Sequence, residues 1–236
     1  IDWLTKMEFI DGIAIIDEYD DFPDPRYALP DCPVAVGQVL TATLMLKAYQ
    51  KGIFAWSAEP VTWWSPDPRA IIELDELYVS KRLARKIRQA PFRITVDQDF
   101  PGVLQGCAAP REEGEESWIT EEFFYCFNEL FQAGYAHSIE CWKDNLLVGG
   151  VFGVAIGGFF SAESMFHKAT DASKIALFYL VELLKQVGFA LLDIQILTSH
   201  TQSLGGILIS RNYYLRRLKQ ALKLKPFPLH KTTITK

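Results

Sequence analysis

Two polar side chains in an apolar segment are the first candidates for chemistry. The segment Leu191–Leu197 (LLDIQIL) is typical of a β-strand, in which side chains alternate between faces, so Asp193 and Gln195 should point to the same side. A strand inside an α/β sheet is normally apolar on both faces, and burying an unpartnered carboxylate costs several kcal/mol. The two groups must therefore be hydrogen-bonded or face a cleft. A structural pair, or an edge strand facing water, is the alternative.

Carboxylates in neighbouring predicted strands extend this pattern. Glu163 interrupts the apolar run FFSAESMF, and Glu140 lies in SIECW. Carboxylates and an amide from adjacent strands could line one polar cleft, hold a cationic or amine substrate and manage a proton. An ordinary salt bridge or a solvated edge position would also explain each of them.

Tryptophans beside turns are a third feature with possible chemistry. Trp56, Trp63, Trp64 and Trp118 all lie in or next to segments rich in turn residues. An exposed aromatic side chain can stack on a nucleic-acid base, which is worth about 1–3 kcal/mol per base. Core packing is the commoner use of such side chains.

Charge is unevenly distributed along the 236 residues. The net charge of −5 argues against a protein that coats nucleic acid without selectivity. Acids dominate residues 2–24 and 112–122, whereas two segments contain bases and no acid. The bases are Lys81, Arg82, Arg85, Lys86, Arg88 and Arg93 in one segment, and Arg211, Arg216, Arg217, Lys219, Lys223 and Lys225 in the other. Either segment could be a solvated helix face or a surface that meets phosphates.

The sequence lacks the motifs of several familiar chemistries. The chain contains no phosphate-binding G-x-x-x-x-G-K-[ST] or G-x-G-x-x-G loop, no H-E-x-x-H zinc motif and no G-x-S-x-G nucleophile motif. Its four cysteines form no C-x-x-C pair, which favours reduced thiols and a cytoplasmic location. No apolar run is long enough to span a membrane, and no secretory signal is recognised at the start of the sequence.

The elements that must position these residues indicate an α+β fold. We predict helices over 40–51, 80–90, 121–134 and 172–187, a loop over 18–35, and a turn-rich aromatic segment over 52–69. Asp171 should cap the helix that follows it. Three antiparallel strands (136–142, 146–156 and 159–166), then a helix, then the strand 191–197, is the order of an acyltransferase-type domain. We place a domain junction near residue 70, between a small N-terminal domain (1–70) and the larger domain (71–236).

The sequence as a whole resembles the leucyl/phenylalanyl-tRNA–protein transferase family. Matching segments follow one another in the same order from about residue 46 to residue 217. They are Gly52–Trp56, Trp63–Ala70, Ser117–Thr120, Ala136–Trp142, Leu147–Ala155, Glu163–Phe166, Ala172–Leu177, Leu191–Leu197 and His200–Gly206. The sequence departs from the usual family pattern at Gly37–Leu40, Ala162 and Leu180, and residues 1–25 have no recognised counterpart.

The resemblance implies both a reaction and a fold. The family transfers Leu or Phe from aminoacyl-tRNA to the N-terminal Arg or Lys of a protein, which marks that protein for degradation by the bacterial N-end rule pathway. It needs no metal, ATP or other cofactor. Its fold joins a small N-terminal domain to a GNAT-like (N-acetyltransferase-like) domain with a mixed, mainly antiparallel sheet.

The resemblance also implies site residues at matching positions. The active-site groups would be Glu163, Asp193 and Gln195, and the aromatic side chains that hold the terminal adenosine would be Trp56 and Trp118. The aminoacyl side chain would lie in a pocket that includes Val151, Phe160 and Leu180. The tRNA acceptor stem would lie on one of the two basic segments, with Lys81, Arg82, Arg85 and Lys86 as the first candidates.

The reaction itself is the aminolysis of an ester. Such a reaction mainly requires that the two substrates are aligned and that a proton is removed. We expect the Gln195 carbonyl oxygen to orient the amine, Asp193 to hold Gln195 and stabilise the developing ammonium, and Glu163 to help position a substrate. An acetyl-CoA-dependent N-acyltransferase of the same fold and a non-catalytic RNA-binding module are the competing hypotheses.

Overall fold

The computed structural model describes residues 8–29, 31–110 and 117–229. Within this part the strands are β1 (Glu8–Ile10), β2 (Ile13–Ile16), β3 (Ala35–Gly37), β4 (Phe54–Ala58), β5 (Val61–Trp64), β6 (Arg69–Ile72), β7 (Arg93–Val96), β8 (Ala136–Lys143), β9 (Leu146–Ile156), β10 (Phe159–His167), β11 (Leu191–Gln195) and β12 (Gly206–Ile209). The helices are α1 (Ala42–Gln50), α2 (Lys81–Gln89), α3 (Phe100–Ala108), α4 (Glu121–Gln132), α5 (Ala172–Val187), α6 (Ser199–Gln202) and α7 (Arg211–Ala221). Residues 2–7 and 112–116 of the acidic segments lie outside the described residues.

The strands form two sheets. The first has the order β1-β2-β3-β5-β4, and the second has the order β12-β6-β11-β10-β9-β8-β7. In the second sheet β10 and β11 run parallel while every other pair is antiparallel, so the predicted α+β class with a mixed, mainly antiparallel sheet is confirmed. The predicted succession of three antiparallel strands, a helix and a further strand is observed as β8, β9, β10, α5 and β11.

The prediction of a turn-rich segment over 52–69 was wrong. Strands β4 and β5 pair there as an antiparallel hairpin, and β6 begins at Arg69. The three prolines that suggested turns lie at 60, 66 and 68, outside the strands, where a missing backbone N–H costs no ladder hydrogen bond. Helices α3 and α6 were also not predicted.

Helix ends follow local sequence signals in most cases. Thr41 and Ser80 accept hydrogen bonds from the backbone N–H groups three residues later, at the starts of α1 and α2. Gly188 ends α5 with φ +93°, a conformation that favours glycine. Asp171 does not cap α5 as predicted, because its carboxylate instead accepts from Arg82 and Lys86.

The apolar core has two parts, on either side of the second sheet. One cluster contains residues of both sheets, for example Val61 and Phe152, and the other lies between the sheet and α5. Because one cluster spans both sheets, the division into domains at residue 70 stays a prediction. None of the described helices is long and apolar enough to cross a membrane.

Candidate active site

The site lies where two parallel strands diverge. The last paired residues of β10 and β11 are Ser161 and Asp193. Just beyond this pair, the register of β10 against β9 shifts, which leaves Glu163 as an extra residue in β10. The register of β11 against β6 also shifts, which leaves Ile194 as an extra residue in β11. Bulges of this kind bend a strand and re-aim its side chains. The two irregularities bring Glu163 and Gln195 together across the gap.

Asp193 is held in a buried ion pair. Its Oδ1 accepts from Arg69 Nε at 2.9 Å, and its Oδ2 accepts from Arg69 Nη2 at 2.6 Å and from the Tyr214 hydroxyl at 2.8 Å. The Asp193 and Arg69 side chains are 0% and 1% exposed. Burial alone would lower the pKa of Arg69, but the adjacent carboxylate and Tyr214 raise it above its usual value, so the guanidinium stays charged.

Gln195 does not follow the strand alternation that the sequence predicted. Its φ is +62°, and the N–H of Ile196 donates to the Ile194 carbonyl at 2.6 Å, which makes Gln195 the centre of a γ-turn. The backbone N–H of Gln195 donates to Asp193 Oδ1 at 2.9 Å. Asp193 and Gln195 therefore belong to one site, but a turn brings them together and not a shared strand face.

The Gln195 carboxamide faces Glu163. Its Nε2 lies 2.9 Å from both carboxylate oxygens of Glu163 and 3.3 Å from the Ser161 hydroxyl. Ser161 donates to Glu163 at 2.7 Å, and Tyr49 of α1 also hydrogen-bonds this carboxylate. With Nε2 used in this way, the Gln195 carbonyl oxygen is the acceptor left for a substrate.

Glu163 is tuned to titrate near neutral pH. Burial raises the pKa of Glu163 to about 7, and the negative charge of Asp193 adds to the shift. Hydrogen bonds from Ser161, Gln195 and Tyr49 oppose it. Burial also raises the pKa of Tyr49 well above its ordinary value, so its hydroxyl stays protonated. A carboxyl group near neutrality is suited to accept or return a proton.

This shift predicts a pH-dependent stability. Between pH 4.5 and 7 the folded chain retains a proton on Glu163 that the unfolded chain has released, so this group makes the fold less stable as pH rises through that range. We expect Glu163→Gln to gain stability relative to the wild type by about 2–3 kcal/mol between pH 5 and pH 8, since one pKa unit corresponds to about 1.4 kcal/mol. Urea unfolding of both proteins across this range measures the difference. Parallel curves would contradict the shift.

Sequence reasoning missed three members of this site: Arg69, Tyr49 and Tyr214. Arg69 begins the apolar strand β6 (RAII), so the argument that a polar group in such a strand needs a partner would have applied to it. The two tyrosines lie on the buried faces of α1 and α7, where periodicity cannot distinguish core packing from a hydrogen-bonding role.

Glu140 is not part of this site. It lies on β8, and β9 and β10 separate this strand from β11. Its carboxylate accepts hydrogen bonds from the Ser138 and Thr95 hydroxyls and from the backbone N–H of Asp99. Burial raises the pKa of Glu140, while the Ser138 and Thr95 hydroxyls oppose the shift. The prediction that it could be a third carboxylate of the cleft was wrong, because its partners lie on β7, on β8 and directly before α3.

The two predicted adenosine-binding tryptophans differ in their links to the site. Trp56 is 51% exposed and is the extra residue of a bulge in β4. Its ring lies 6.1 Å from that of Phe54, which in turn lies 4.8 Å from the guanidinium carbon of Arg69. Trp118 is 39% exposed and packs edge-on against Phe123 of α4. Both present exposed ring surface, and their role in stacking stays a prediction.

The predicted aminoacyl pocket is closed in this structure. Val151, Phe160 and Leu180 lie in the same apolar cluster between the second sheet and α5, each with at most 2% of its surface exposed. An aminoacyl side chain could contact them only if this packing opened. The pocket therefore stays a prediction.

The basic helix α2 presents exposed charge and is anchored to the start of α5. Lys81, Arg82 and Arg85 are exposed, whereas Lys86 is half-buried. Lys86 and Arg82 contact Asp171, which follows the C-terminal end of β10. In the second basic segment, Arg211 is buried and its guanidinium donates to backbone carbonyls, so this residue is structural.

Comparisons with known proteins agree on one family. A family model described as Leucyl/phenylalanyl-tRNA protein transferase matches residues 71–219, and the model of its N-terminal domain matches residues 39–67. A protein of Pseudoalteromonas atlantica named leucyl/phenylalanyl-tRNA–protein transferase is 47% identical over 212 residues, which cover 88% of this chain and 91% of that protein. A Solidesulfovibrio magneticus protein of the same name is 46% identical over 211 residues, covering 88% and 85%.

Solved structures give only weak matches. The L-PGS structure from Bacillus licheniformis has a TM-score of 0.42 and 12% identity, over 81% of this chain and 73% of that one. Among the described residues, no group of three or more His, Cys, Asp or Glu side chains is placed to hold a metal ion. The two family models together span more than half of the sequence and include every residue of the site except Arg69, and so this chain belongs to the leucyl/phenylalanyl-tRNA–protein transferase family.

Proposed function

We propose that this chain transfers a leucyl or phenylalanyl group from aminoacyl-tRNA to the α-amine of a protein whose first residue is Arg or Lys. The single observation that carries the proposal is the Gln195–Glu163 pair, a fixed amide beside a carboxyl group whose pKa is raised to about 7. Membership of the family supports the identity of both substrates. The consequence for the acceptor would be degradation by the bacterial N-end rule pathway, in the cytoplasm, where charged tRNA is found.

The chemistry follows from these two side chains. The Gln195 carbonyl oxygen accepts a hydrogen bond from the acceptor α-amine and directs its lone pair toward the ester carbonyl carbon. As the new C–N bond forms, the amine loses a proton, and the C–O bond to the terminal ribose breaks. Glu163 can take this proton and pass it to the departing ribose oxygen, because its pKa lies close to the working pH.

Asp193 acts differently from the expectation based on sequence. All of its oxygen contacts are to Arg69, Tyr214 and the Gln195 backbone, and its side chain is 0% exposed. It therefore cannot contact the ammonium that develops on the acceptor. We assign it as a positioning residue for Gln195, while Gln195 and Glu163 are the groups that meet substrate.

We further propose that the tRNA acceptor stem lies on α2. Lys81 and Arg85 are exposed and form no salt bridge within the described part of the chain, so both are available to phosphates. Arg82 and Lys86 contact Asp171 at the start of α5, and replacing them would also disturb that helix. In this proposal the exposed rings of Trp56 and Trp118 stack on the terminal adenosine.

Charge reversal tests this surface. The double variant Lys81→Glu/Arg85→Glu should bind leucyl-tRNA more weakly, and the slope of log affinity against log salt should fall by about 1 for each phosphate contact removed. Filter binding at several salt concentrations measures both quantities. The matched variant Arg216→Glu/Lys219→Glu carries the same charge change on exposed positions of α7. If only the α7 variant lost affinity, the acceptor stem would lie on the second basic segment instead.

One assay separates the proposed reaction from its alternatives. The protein is incubated with radiolabelled leucyl-tRNA and a protein that begins with Arg, and in parallel with acetyl-CoA and the same acceptor. Label on the acceptor from leucyl-tRNA is the expected result. Acetyl transfer would favour an acetyl-CoA-dependent N-acyltransferase, and tRNA binding without transfer would favour a non-catalytic RNA-binding module.

A further inference from the structure

We propose that Arg69 and Tyr214 are positioning residues for the transfer reaction, acting through Asp193 on the backbone of Gln195. Neither side chain reaches the cleft, since both are buried, with 1% and 0% of their surface exposed. The inference rests on the proposed function, because it concerns the rate of that reaction. The buried ion pair of Arg69 and Asp193 then has a role in the reaction in addition to stabilising the fold.

The Asp193 carboxylate has no free acceptor site. Each carboxylate oxygen accepts two hydrogen bonds: Oδ1 from Arg69 Nε and the Gln195 N–H, and Oδ2 from Arg69 Nη2 and the Tyr214 hydroxyl. A carboxylate offers about four lone-pair sites. Three of the four donors therefore fix the carboxylate, and the fourth is the backbone group that it holds.

Gln195, whose backbone N–H Asp193 holds, is in an unfavourable conformation. Gln195 has a φ of +62° at the centre of a γ-turn, which non-glycine residues rarely adopt. Such a conformation persists only where its surroundings determine it. The hydrogen bond from the Gln195 N–H to Asp193 Oδ1 is one of the contacts that do so, beside the bond from the Ile196 N–H to the Ile194 carbonyl that closes the turn. If the carboxylate shifted, the turn would relax and the carboxamide would leave Glu163.

Arg69 connects distant parts of the chain to this turn. Its Nη1 donates to the Gly52 carbonyl at 3.0 Å, directly after α1, and its guanidinium carbon lies 4.8 Å and 4.5 Å from the ring centres of Phe54 and Tyr214. At Gly52 an added Cβ would lie 2.9 Å from the Tyr214 ring, so α7 packs directly on this glycine. The N-terminal sheet and α7 thus meet at one guanidinium that orients Asp193.

A double-mutant cycle on kcat tests whether Tyr214 acts through Gln195. Tyr214→Phe removes only the hydroxyl, and it should lower kcat by roughly tenfold, with KM for leucyl-tRNA unchanged, because small displacements of a reacting group are costly. In a Gln195→Ala background the same substitution should cause little further loss, since the group being positioned is already absent. Tyr135→Phe is the control, because Tyr135 directly precedes β8, which β9 and β10 separate from β11, and it should leave kcat unchanged.

The outcomes distinguish a positioning role from a merely structural one. A lower melting temperature with an unchanged kcat for Tyr214→Phe, or losses that multiply in the double variant, would overturn the inference. Arg69→Lys, which keeps the charge but not the two-pronged contact, should show the same non-additivity. If it does not fold, the Tyr214→Phe cycle decides alone. Absence of transfer by the wild-type protein would instead overturn the proposed function.

Discussion

Replacing Asp193 with Ala is expected to lower the free energy of unfolding by about 3–5 kcal/mol, because it leaves the buried guanidinium of Arg69 without its counter-ion. The same variant should lose about 10²-fold or more in turnover, since Gln195 loses the acceptor that holds its backbone. Chemical denaturation gives the first quantity, and initial rates of leucyl transfer give the second. Of the single substitutions proposed here, Asp193→Ala should lower the stability of the fold the most.

An apolar replacement of the whole pair separates the two effects. Buried ion pairs can often be exchanged for apolar side chains with little loss of stability. The double variant Arg69→Met/Asp193→Leu should therefore recover most of the stability that Asp193→Ala loses. It should not recover activity, because no acceptor for the Gln195 N–H is restored. A cost below 1 kcal/mol for Asp193→Ala, or an active double variant, would contradict the arrangement described above.

Replacing Gln195 with Ala should lower kcat by about 10²-fold or more, the usual scale for a group that assists proton transfer and alignment. Stability should change far less than in Asp193→Ala, because Gln195 is half-buried and uncharged. Gln195→Glu provides a second variant of the same shape. It places a carboxylate against Glu163, and like charges at hydrogen-bond distance raise the pKa of the pair. Steady-state rates at saturating leucyl-tRNA measure both.

The pH dependence of these variants gives an independent check. For Gln195→Glu, the rate relative to the wild type should improve as pH falls, because one proton shared between the two carboxylates removes their repulsion. Gln195→Ala should show no such recovery. Wild-type rates in either variant would remove Gln195 from the active site.

Much of the larger sheet could be predicted from the sequence, because its strands and helices are long and strongly patterned. The meander β8–β10 and the helix α5 agree with prediction to within one residue at most ends. Strands β3, β4 and β5 of the first sheet could not be predicted, since they are three to five residues long and lie among prolines. The hairpin of β1 and β2 was overlooked, although Asp11-Gly12 between apolar residues is a hairpin signal. In short strands, pairing with distant partners outweighs local preference.

For the site, the residues could be predicted from the sequence but their geometry could not. Asp193, Gln195 and Glu163 stood out because polar groups in apolar strands are costly without partners, and they lie together in the structure. Their geometry could not be predicted, because it depends on a bulge in each strand and on a γ-turn, none of which strand periodicity encodes. The complete burial of the Asp193 side chain could not be predicted either, since its partners Arg69 and Tyr214 are 124 and 21 residues away in sequence.

The most direct measurement of the central claim is the product on a defined acceptor peptide. A peptide that begins with a free Arg is incubated with the protein and leucyl-tRNA, and fragmentation mass spectrometry locates any added residue. We predict one leucyl group on the α-amine, none when that amine is acetylated beforehand, and a strongly reduced yield with Gln195→Ala. An unmodified peptide in the presence of intact leucyl-tRNA and folded protein would contradict the account.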